Sequence, residues 1–368
     1  MTRGYFEDLG ARVQLRWNAA DADEERFADI AREELERTPP VEHVDLDGFV
    51  ERFLAPDQAA TRQFAPLGAF GQPGITAYHG RGFVIDLYFW NNCAPAIHDH
   101  PFSGVFTVLR GFSLHRTYAF QESARLGAHV RVGEIIPQEL TVLRPGEVRP
   151  FSLSGHALIH TLIHVPNPSV SLVVRTSRVV GYHRYFPPSV ALEVTEADDP
   201  LGHQLMLLDW LRNGRSEAYV ERLRAFPSSA DFQTTFRAVS AAYQAFAAEG
   251  RAEELFAMIG SHHAERAALI PPAIRGAYQL QAADAIRQRL SDEDDRLVAS
   301  ALMCAANRDE LFAVLREAGV GDDPAAAVLG WAKDCDILDA GDPFSPVLLR
   351  RLLAGDALER IVQEEAGL

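Results

Sequence analysis

With 368 residues, the chain exceeds the usual size of a single hydrophobic core, so its length favours two domains or one domain with a large helical addition. Its formal net charge of −16 argues against nucleic-acid binding, and the lack of an apolar run of about 18 residues argues against a membrane span. Cys93, Cys304 and Cys335 lie far apart and are odd in number, which excludes a disulfide framework and a CxxC site. The charged N-terminus does not resemble a secretory signal, so we expect a cytoplasmic protein.

The first part of the chain is predicted to be helical. From Asp21 to Leu54, apolar residues recur at three- and four-residue intervals, which predicts two amphipathic helices broken at Pro39-Pro40. The next stretch, from Phe64 to Gly82, contains five glycines and two prolines and predicts a loop-rich entry to the following domain. We therefore expect an N-terminal helical segment over residues 1–63.

The middle of the chain changes to short apolar and β-branched runs bounded by Gly, Pro or Asn. They read FVIDLYFW, GVFTVLRG, SLHRTYAF, ELTVLRPG, HALIHTLIHV and SVSLVVRTS. This regular spacing predicts an all-β barrel or sandwich over residues 64–189. After Pro187-Pro188 helical spacing returns, which predicts an α-helical domain of unknown role over residues 190–368 and an α+β chain as a whole.

A His-Asp-His sequence ends one of these strand-like runs. Residues i and i+2 of a strand point to the same face, so His98 and His100 are predicted to point inward while Asp99 points outward. Neutral imidazole suits Fe, Zn, Cu, Ni and Mn rather than Ca or Mg. The pair therefore predicts a site for a divalent transition metal.

The charge of the central region differs from that of the rest. Residues 61–190 contain 11 arginines and 6 acidic residues, although the whole chain is acidic. A mildly basic barrel is suited to an anionic substrate.

Three stretches together resemble the cysteine dioxygenase-like branch of the cupin superfamily, over roughly 100 residues. They are YHGRGFVIDLYFW from Tyr78, IHDHPFSGVFTVLRG from Ile97 and LRPGEVRPFSLSGHALIHTLIHVPNPSVSL from Leu143. The resemblance implies a double-stranded β-helix, or jelly-roll, barrel. Most cupins have a glutamate ligand shortly after the histidine pair, and Ser103, Gly104 and Val105 stand there in this chain. The resemblance thus implies iron(II) on three histidines.

The third histidine ligand is implied to come from a later strand. His156, His160 and His164 are spaced four residues apart there. Alignment on the following PSVSL favours His160, with His156 as the alternative, and His164 is assigned to substrate binding or to a supporting hydrogen bond. His115, on an earlier strand, is expected to have no part in metal binding.

The chain departs from the thiol dioxygenases at their Ser-His-Tyr positions. The same alignment places Ser171, Val173 and Arg175 there, so two of the three residue types differ and cysteine is not the expected substrate. Strand parity directs Arg175 inward, and Arg81 stands near Tyr78 where the family keeps an arginine for a substrate carboxylate. Arg175 and Tyr78 are therefore candidate catalytic residues, and Arg81 and Arg175 are candidate substrate-binding residues.

The sequence accordingly predicts an O2-dependent oxidoreductase with one iron(II), or another divalent transition metal, acting on a small carboxylate- or thiol-bearing metabolite. Two alternatives stay open. One is a cupin isomerase, lyase or hydrolase that uses Zn, Mn or Ni as a Lewis acid. The other is a cupin that binds a small molecule without catalysis. Neither nucleic acid nor membrane is an expected partner, and the sequence does not specify an oligomeric state.

Overall fold

The structure is a computed structural model that describes residues 2–55, 62–63, 71, 73–91, 96–153, 157–194 and 200–334, together with residues 349, 353 and 355. Within these ranges the chain combines helices at both ends with strands in the middle, as the sequence predicts. No helix in the described ranges combines the length and apolar character needed to span a bilayer.

In the described residues, four helices precede the first strand: α1 (Thr2–Ala19), α2 (Glu24–Arg37), α3 (Pro40–His43) and α4 (Leu46–Leu54). The carboxylate of Asp23 caps α2 by accepting a hydrogen bond from the backbone N–H of Glu25. The predicted break at Pro39-Pro40 is confirmed, because α2 ends at Arg37 and α3 begins at Pro40, where a proline lacking N–H is tolerated. Helix α1 lies within the helical segment predicted over residues 1–63, although it precedes the two amphipathic helices predicted from Asp21 to Leu54.

The strands form a five-stranded sheet and a closed ring of six strands. The sheet has the order β1-β2-β9-β4-β7 and the ring the order β10-β11-β6-β5-β8-β3. In chain order the strands are β1 (Gly74–His79), β2 (Phe83–Trp90), β3 (Ile97–His98), β4 (Gly104–Arg110), β5 (Ser113–Arg125), β6 (Val130–Leu143), β7 (Val148–Phe151), β8 (Ile159–His164), β9 (Ser169–Thr176), β10 (Tyr182–Phe186) and β11 (Val190–Val194).

Both faces of the five-stranded sheet are covered. On its outer face, Phe83, Leu172 and other apolar residues of β2, β4 and β9 form one buried cluster with Phe6 and Phe27 of α1 and α2. On its inner face, Tyr88, Phe106 and Val173 pack with Leu143 of β6. The sheet therefore lies between the N-terminal helices and the ring.

The six-stranded ring has a core of its own. This cluster draws residues from every strand of the ring: Ile97, Tyr118, Phe120, Ile135, Ile159, Tyr185 and Ala191. Because successive residues of a strand point to opposite faces, the neighbours of Ile97 and Ile159 point away from this core and toward the five-stranded sheet.

The helices after the barrel pack against the outside of the ring. They are α5 (Pro200–Asn213), α6 (Ala218–Ser229), α7 (Phe232–Ala248), α8 (Ala252–Phe256), a 3-10 helix (Ser261–Leu269), α9 (Ile270–Arg287), α10 (Glu293–Cys304), α11 (Arg308–Ala318) and α12 (Pro324–Asp334). One sequence-based boundary is corrected here: β11, placed with the helical region, is a strand of the ring, and the helices begin at Pro200.

Helices and ring share cores and buried hydrogen bonds. Leu114 and Ile163 of the ring lie in one cluster with Leu297 and Leu311 of α10 and α11. Arg116 of β5, whose side chain is 1% exposed, forms an ion pair with Glu310 and donates to the carbonyl oxygen of Cys304. The helices therefore complete the core of the ring's outer face.

Candidate metal centre

Three histidines converge between the ring and the sheet. His98 ends β3, and its direct neighbour across the antiparallel pair is His160 of β8. Directly opposite residues of an antiparallel pair have Cβ atoms about 5 Å apart, so the two imidazoles lie side by side. His100, two residues further on, joins them from the same face. Each of the three offers a ring nitrogen, and these atoms all lie within 4.8 Å of one another.

The spacing of the nitrogens fits a shared metal ion. The Nε2 atoms of His100 and His160 are 3.0 Å apart. Two nitrogen ligands at a right angle, each about 2.1 Å from one metal, are separated by about 3.0 Å. Within the described residues, this is the one group of three or more His, Cys, Asp or Glu side chains with such geometry, and it contains no carboxylate.

Burial keeps these imidazoles neutral. It lowers the pKa of His98 below its ordinary value and lowers the pKa of His100 and His160 well below it, and the neighbouring histidines add to the shift at the latter two. A neutral imidazole has one nitrogen with a free lone pair. The cluster therefore presents the donor set that divalent transition metals prefer.

Aromatic rings surround the cluster on the sheet side. The ring of Phe151 stacks on His100 at 4.0 Å between centroids, Phe106 lies 5.6 Å from His160, and Phe102 lies 5.9 Å from His100. His160 is buried, whereas His98 and His100 are only partly buried. The site is thus apolar toward the sheet, and the histidine pair is its more exposed side.

Two further groups hold the outer nitrogens of the ligand candidates. His98 Nδ1 lies 2.9 Å from the carbonyl oxygen of Ala96, and His160 Nδ1 lies 2.9 Å from Nε2 of His115. His115 is not among the three candidate ligands, and its imidazole touches the third of them, so its predicted lack of a part in metal binding stays a prediction. Burial, with the nearby charge of Arg149, lowers the pKa of His115 to about 3. The inward parity that His115 shares with His160 across β5 and β8 is the signal that could have identified it.

Asp99 points away from the cluster, as strand parity predicts. Its carboxylate accepts hydrogen bonds from the backbone N–H of His183 (2.5 Å) and from the hydroxyl of Tyr185 (3.0 Å), and lies 3.0 Å from His183 Nδ1. These bonds tie the segment between the two histidines to β10. They fix the direction in which His98 and His100 project.

The structure brings His98, His100 and His160 together, and their role as ligands stays a proposal. The alternative third ligand, His156, lies outside the described residues.

Arg175 points between the sheet and the ring, as predicted, but it already has an anionic partner. Its Nε donates to Oδ2 of Asp86 at 2.9 Å, and the two side chains are 6% and 0% exposed. Its guanidinium carbon lies 4.7 Å from the centroid of Phe102, and the same ring lies 5.9 Å from that of His100. The anionic partner of Arg175 in the structure is therefore a carboxylate of the chain itself.

The structure places Tyr78 and Arg81 away from the cluster. Tyr78 packs on the outer face of the sheet with Phe83, close to Gly10 of α1, where an added Cβ would lie 2.3 Å from the tyrosine ring. Arg81 is exposed in the turn between β1 and β2, and its backbone N–H donates to Gln14. These positions argue against the catalytic role predicted for Tyr78 and the substrate-binding role predicted for Arg81.

His164 is inward-facing but belongs to a different group of side chains. Four residues of strand, about 13 Å, separate it from His160. Its ring stacks on Trp90 at 4.4 Å, and its Nδ1 lies 2.8 Å from the hydroxyl of Ser113. Trp90 in turn donates to Ser171. These contacts account for His164 as a packed core residue, which argues against its predicted role in substrate binding.

Comparison with protein-family models finds no match, and no curated protein matches the chain. Among solved structures, it is similar to hydroquinone 1,2-dioxygenase PnpCD in complex with Cd2+ and 4-hydroxybenzonitrile, with 15% identity, coverage of 27% of this chain and 61% of that chain, and a TM-score of 0.21. It is also similar to an oxalate oxidase structure, with 17% identity, coverage of 38% and 59%, and a TM-score of 0.18. The chain thus spans about three fifths of the length of each of these two proteins.

Proposed function

We propose that this protein is an O2-dependent oxidoreductase that binds one divalent transition metal, iron(II), on His98, His100 and His160. The observation that carries the proposal is the convergence of three neutral imidazoles in a cluster that lacks a carboxylate. Three protein ligands leave coordination positions open, whereas a structural site usually closes its shell with a fourth. The resemblance to three-histidine cupins supports the same assignment.

The surroundings of the cluster favour a small substrate with an anionic donor group. Three uncharged ligands leave the charge of a divalent ion uncompensated, which attracts a carboxylate or a thiolate. Arg175 does not compete for that group, because Asp86 balances its charge. When bound, the metal would supply adjacent open positions for substrate and O2 and a one-electron redox couple.

The protein's own side chains would shape and protect this site. Phe102, Phe106 and Phe151 limit water on the sheet side, which strengthens electrostatic attraction at the cluster. The partly buried His98 and His100 form the side through which a substrate can enter. We therefore propose a carboxylate- or thiol-bearing metabolite, amino-acid-like in size, whose anionic group reaches the cluster and whose remaining atoms lie against the phenyl rings.

The test is anaerobic purification of the full chain, metal analysis, and then O2 uptake with a panel of thiols and amino acids monitored by mass spectrometry. We expect one iron per chain and an oxidised product. The variants His98→Ala, His100→Ala and His160→Ala should each lose most of the metal, while His203→Ala, an exposed histidine of α5, should keep it. A tightly bound redox-inert metal with an unoxidised product would instead assign the protein to Lewis-acid chemistry, and wild-type protein without metal would refute the site.

A further inference from the structure

The two ring nitrogens of His160 face two different partners. Nε2 lies 3.0 Å from Nε2 of His100, inside the cluster, and Nδ1 lies 2.9 Å from Nε2 of His115, on its far side. A neutral imidazole carries one proton, so only one of its nitrogens has a lone pair to offer. A metal at the cluster therefore requires that the proton of His160 is on Nδ1, where the N–H needs a hydrogen-bond acceptor.

The acceptor found here is an imidazole. The outer nitrogen of a histidine ligand usually donates to a carboxylate, a backbone carbonyl or water, and His98 follows this pattern with the carbonyl of Ala96. His160 instead meets His115, which is 2% exposed. Bulk solvent therefore has little access to His115.

Strand register and packing hold His115 in this position. On β5, Thr117 is the direct neighbour of His160, so His115 occupies the diagonal position on the same face. The ring of Phe106 contacts both imidazoles, at 5.8 Å from His115 and 5.6 Å from His160. The hydrogen bond between them is therefore built into the fold.

The position of the proposed metal determines the direction of this hydrogen bond. A metal at the cluster uses the lone pair of His160 Nε2, so the single proton of a neutral His160 lies on Nδ1. His115 Nε2, 2.9 Å from Nδ1, is consequently the acceptor, and His160 Nδ1 is the donor.

We propose that His115 is a positioning residue that accepts a hydrogen bond from the Nδ1–H of His160 and thereby makes Nε2 the metal-binding atom. This inference rests on the proposed metal site. An uncharged acceptor also keeps the ligand set neutral, whereas a carboxylate partner would raise the basicity of the ligand. The proposed preference of the site for an anionic substrate group thus depends in part on a residue that never touches the metal.

The test is cobalt(II) titration of the full-length protein, followed by its visible absorption and by chelator competition. His115→Leu removes the acceptor and should weaken cobalt binding about ten- to a hundredfold. His115→Gln keeps an acceptor oxygen and should stay within about threefold of wild type. His164→Leu is the matched control, since it removes another buried histidine of the same layer and should leave the affinity unchanged.

A second measurement needs no metal. Long-range proton–nitrogen NMR of the metal-free protein should show His160 as the Nδ1–H tautomer in wild type and His115→Gln, and as a tautomer mixture in His115→Leu. Equal cobalt affinity in wild type and His115→Leu, equal losses in both His115 variants, or an Nε2–H tautomer in wild type would each overturn the inference. Wild-type protein that binds no cobalt would overturn the metal site itself, and the inference with it.

Discussion

Arg175 and Asp86 form a buried ion pair between strands β9 and β2, with Nε and Oδ2 2.9 Å apart. The same carboxylate accepts a hydrogen bond from the hydroxyl of Thr76 at 2.8 Å and lies 3.3 Å from that of Tyr88. Burial, followed by the charge of Asp86, raises the pKa of Tyr88, so its hydroxyl stays protonated. The charge of Arg175 is therefore balanced by Asp86, and this buried group of side chains needs no charged ligand.

Removing one member of this pair should destabilise the fold. Arg175→Met leaves the Asp86 carboxylate buried without its cation, and we expect the free energy of unfolding to fall by about 3–5 kcal/mol. The double variant Arg175→Met/Asp86→Leu should recover most of that loss, because no unpaired charge remains. Denaturant unfolding measures both. A stable Arg175→Met protein with weakened substrate binding would instead restore the substrate-binding role predicted from the sequence.

Asp99 should affect metal binding from the outer side of the histidine pair. Asp99→Ala removes the bonds to His183 and Tyr185 that orient His98 and His100, so we expect the dissociation constant for cobalt to rise about tenfold. The matched control is Glu193→Ala, which removes a carboxylate 2.9 Å from the surface histidine His129. Unchanged affinity in Asp99→Ala would show that packing alone orients the pair.

The stability of the fold should depend on pH through His164. Burial, followed by the charge of Arg287, lowers its pKa to about 3, whereas a histidine in an unfolded chain titrates near 6.5. As the pH falls, the unfolded chain takes up the proton first. The contribution of neutral His164 to the stability of the fold is thus complete above a pH of about 6.5, and it is lost progressively as the pH falls to about 3.

Because of His164 alone, the free energy of unfolding should be about 2 kcal/mol lower at pH 5 than at pH 7.5. In His164→Gln the loss between these two pH values should be smaller by that amount, as measured by denaturant unfolding at each pH. A His164→Gln protein with the wild-type pH profile would contradict the assigned protonation.

Two similar aspartate–arginine pairs on the C-terminal helices should differ strongly in their contribution to the free energy of unfolding. Asp284 and Arg287 of α9 are 2% and 1% exposed, whereas Asp209 and Arg212 of α5 are 52% and 41% exposed, and both pairs have the same i, i+3 spacing. Arg287→Leu should lower the free energy of unfolding by about 3–5 kcal/mol, because it leaves a buried carboxylate unpaired. Arg212→Leu should change it by less than about 0.5 kcal/mol. Equal changes in the free energy of unfolding for the two variants would show that burial of the α9 pair does not determine its contribution to stability.

The sequence alone was sufficient to predict features that depend on a short repeat along the chain. The two-residue repeat of a strand placed His98 and His100 on one face and Asp99 on the other, and the bounds of β2 match the predicted run. The closed six-stranded ring agrees with the predicted barrel, while its assignment to the cupin jelly-roll belongs to the proposal.

Features that depend on irregular or distant pairing could not be predicted in this way. The register between β1 and β2 shifts between Thr76 and Tyr78, so Thr76 meets Asp86 inside while Tyr78 points outward. A bulge of this kind reverses the side-chain parity of the residues that follow it. Similarly, the ion pair between Asp86 and Arg175, 89 positions apart in the sequence, could not be predicted, since it depends on strand register rather than on local sequence.

Two arginines of the C-terminal helices form hydrogen bonds with the main chain at the end of β8, the strand that carries the third candidate ligand. Arg287 donates to the carbonyl oxygen of His164 at 3.1 Å, and Arg296 donates to that of Val165 at 2.6 Å, at the end of β8. Detaching α9 and α10 would therefore leave buried carbonyl groups without donors and expose the shared core. Ring and helices should consequently unfold cooperatively in a single transition, and a metal bound at the histidine cluster should slow hydrogen exchange in α9 and α10 as well as in β8.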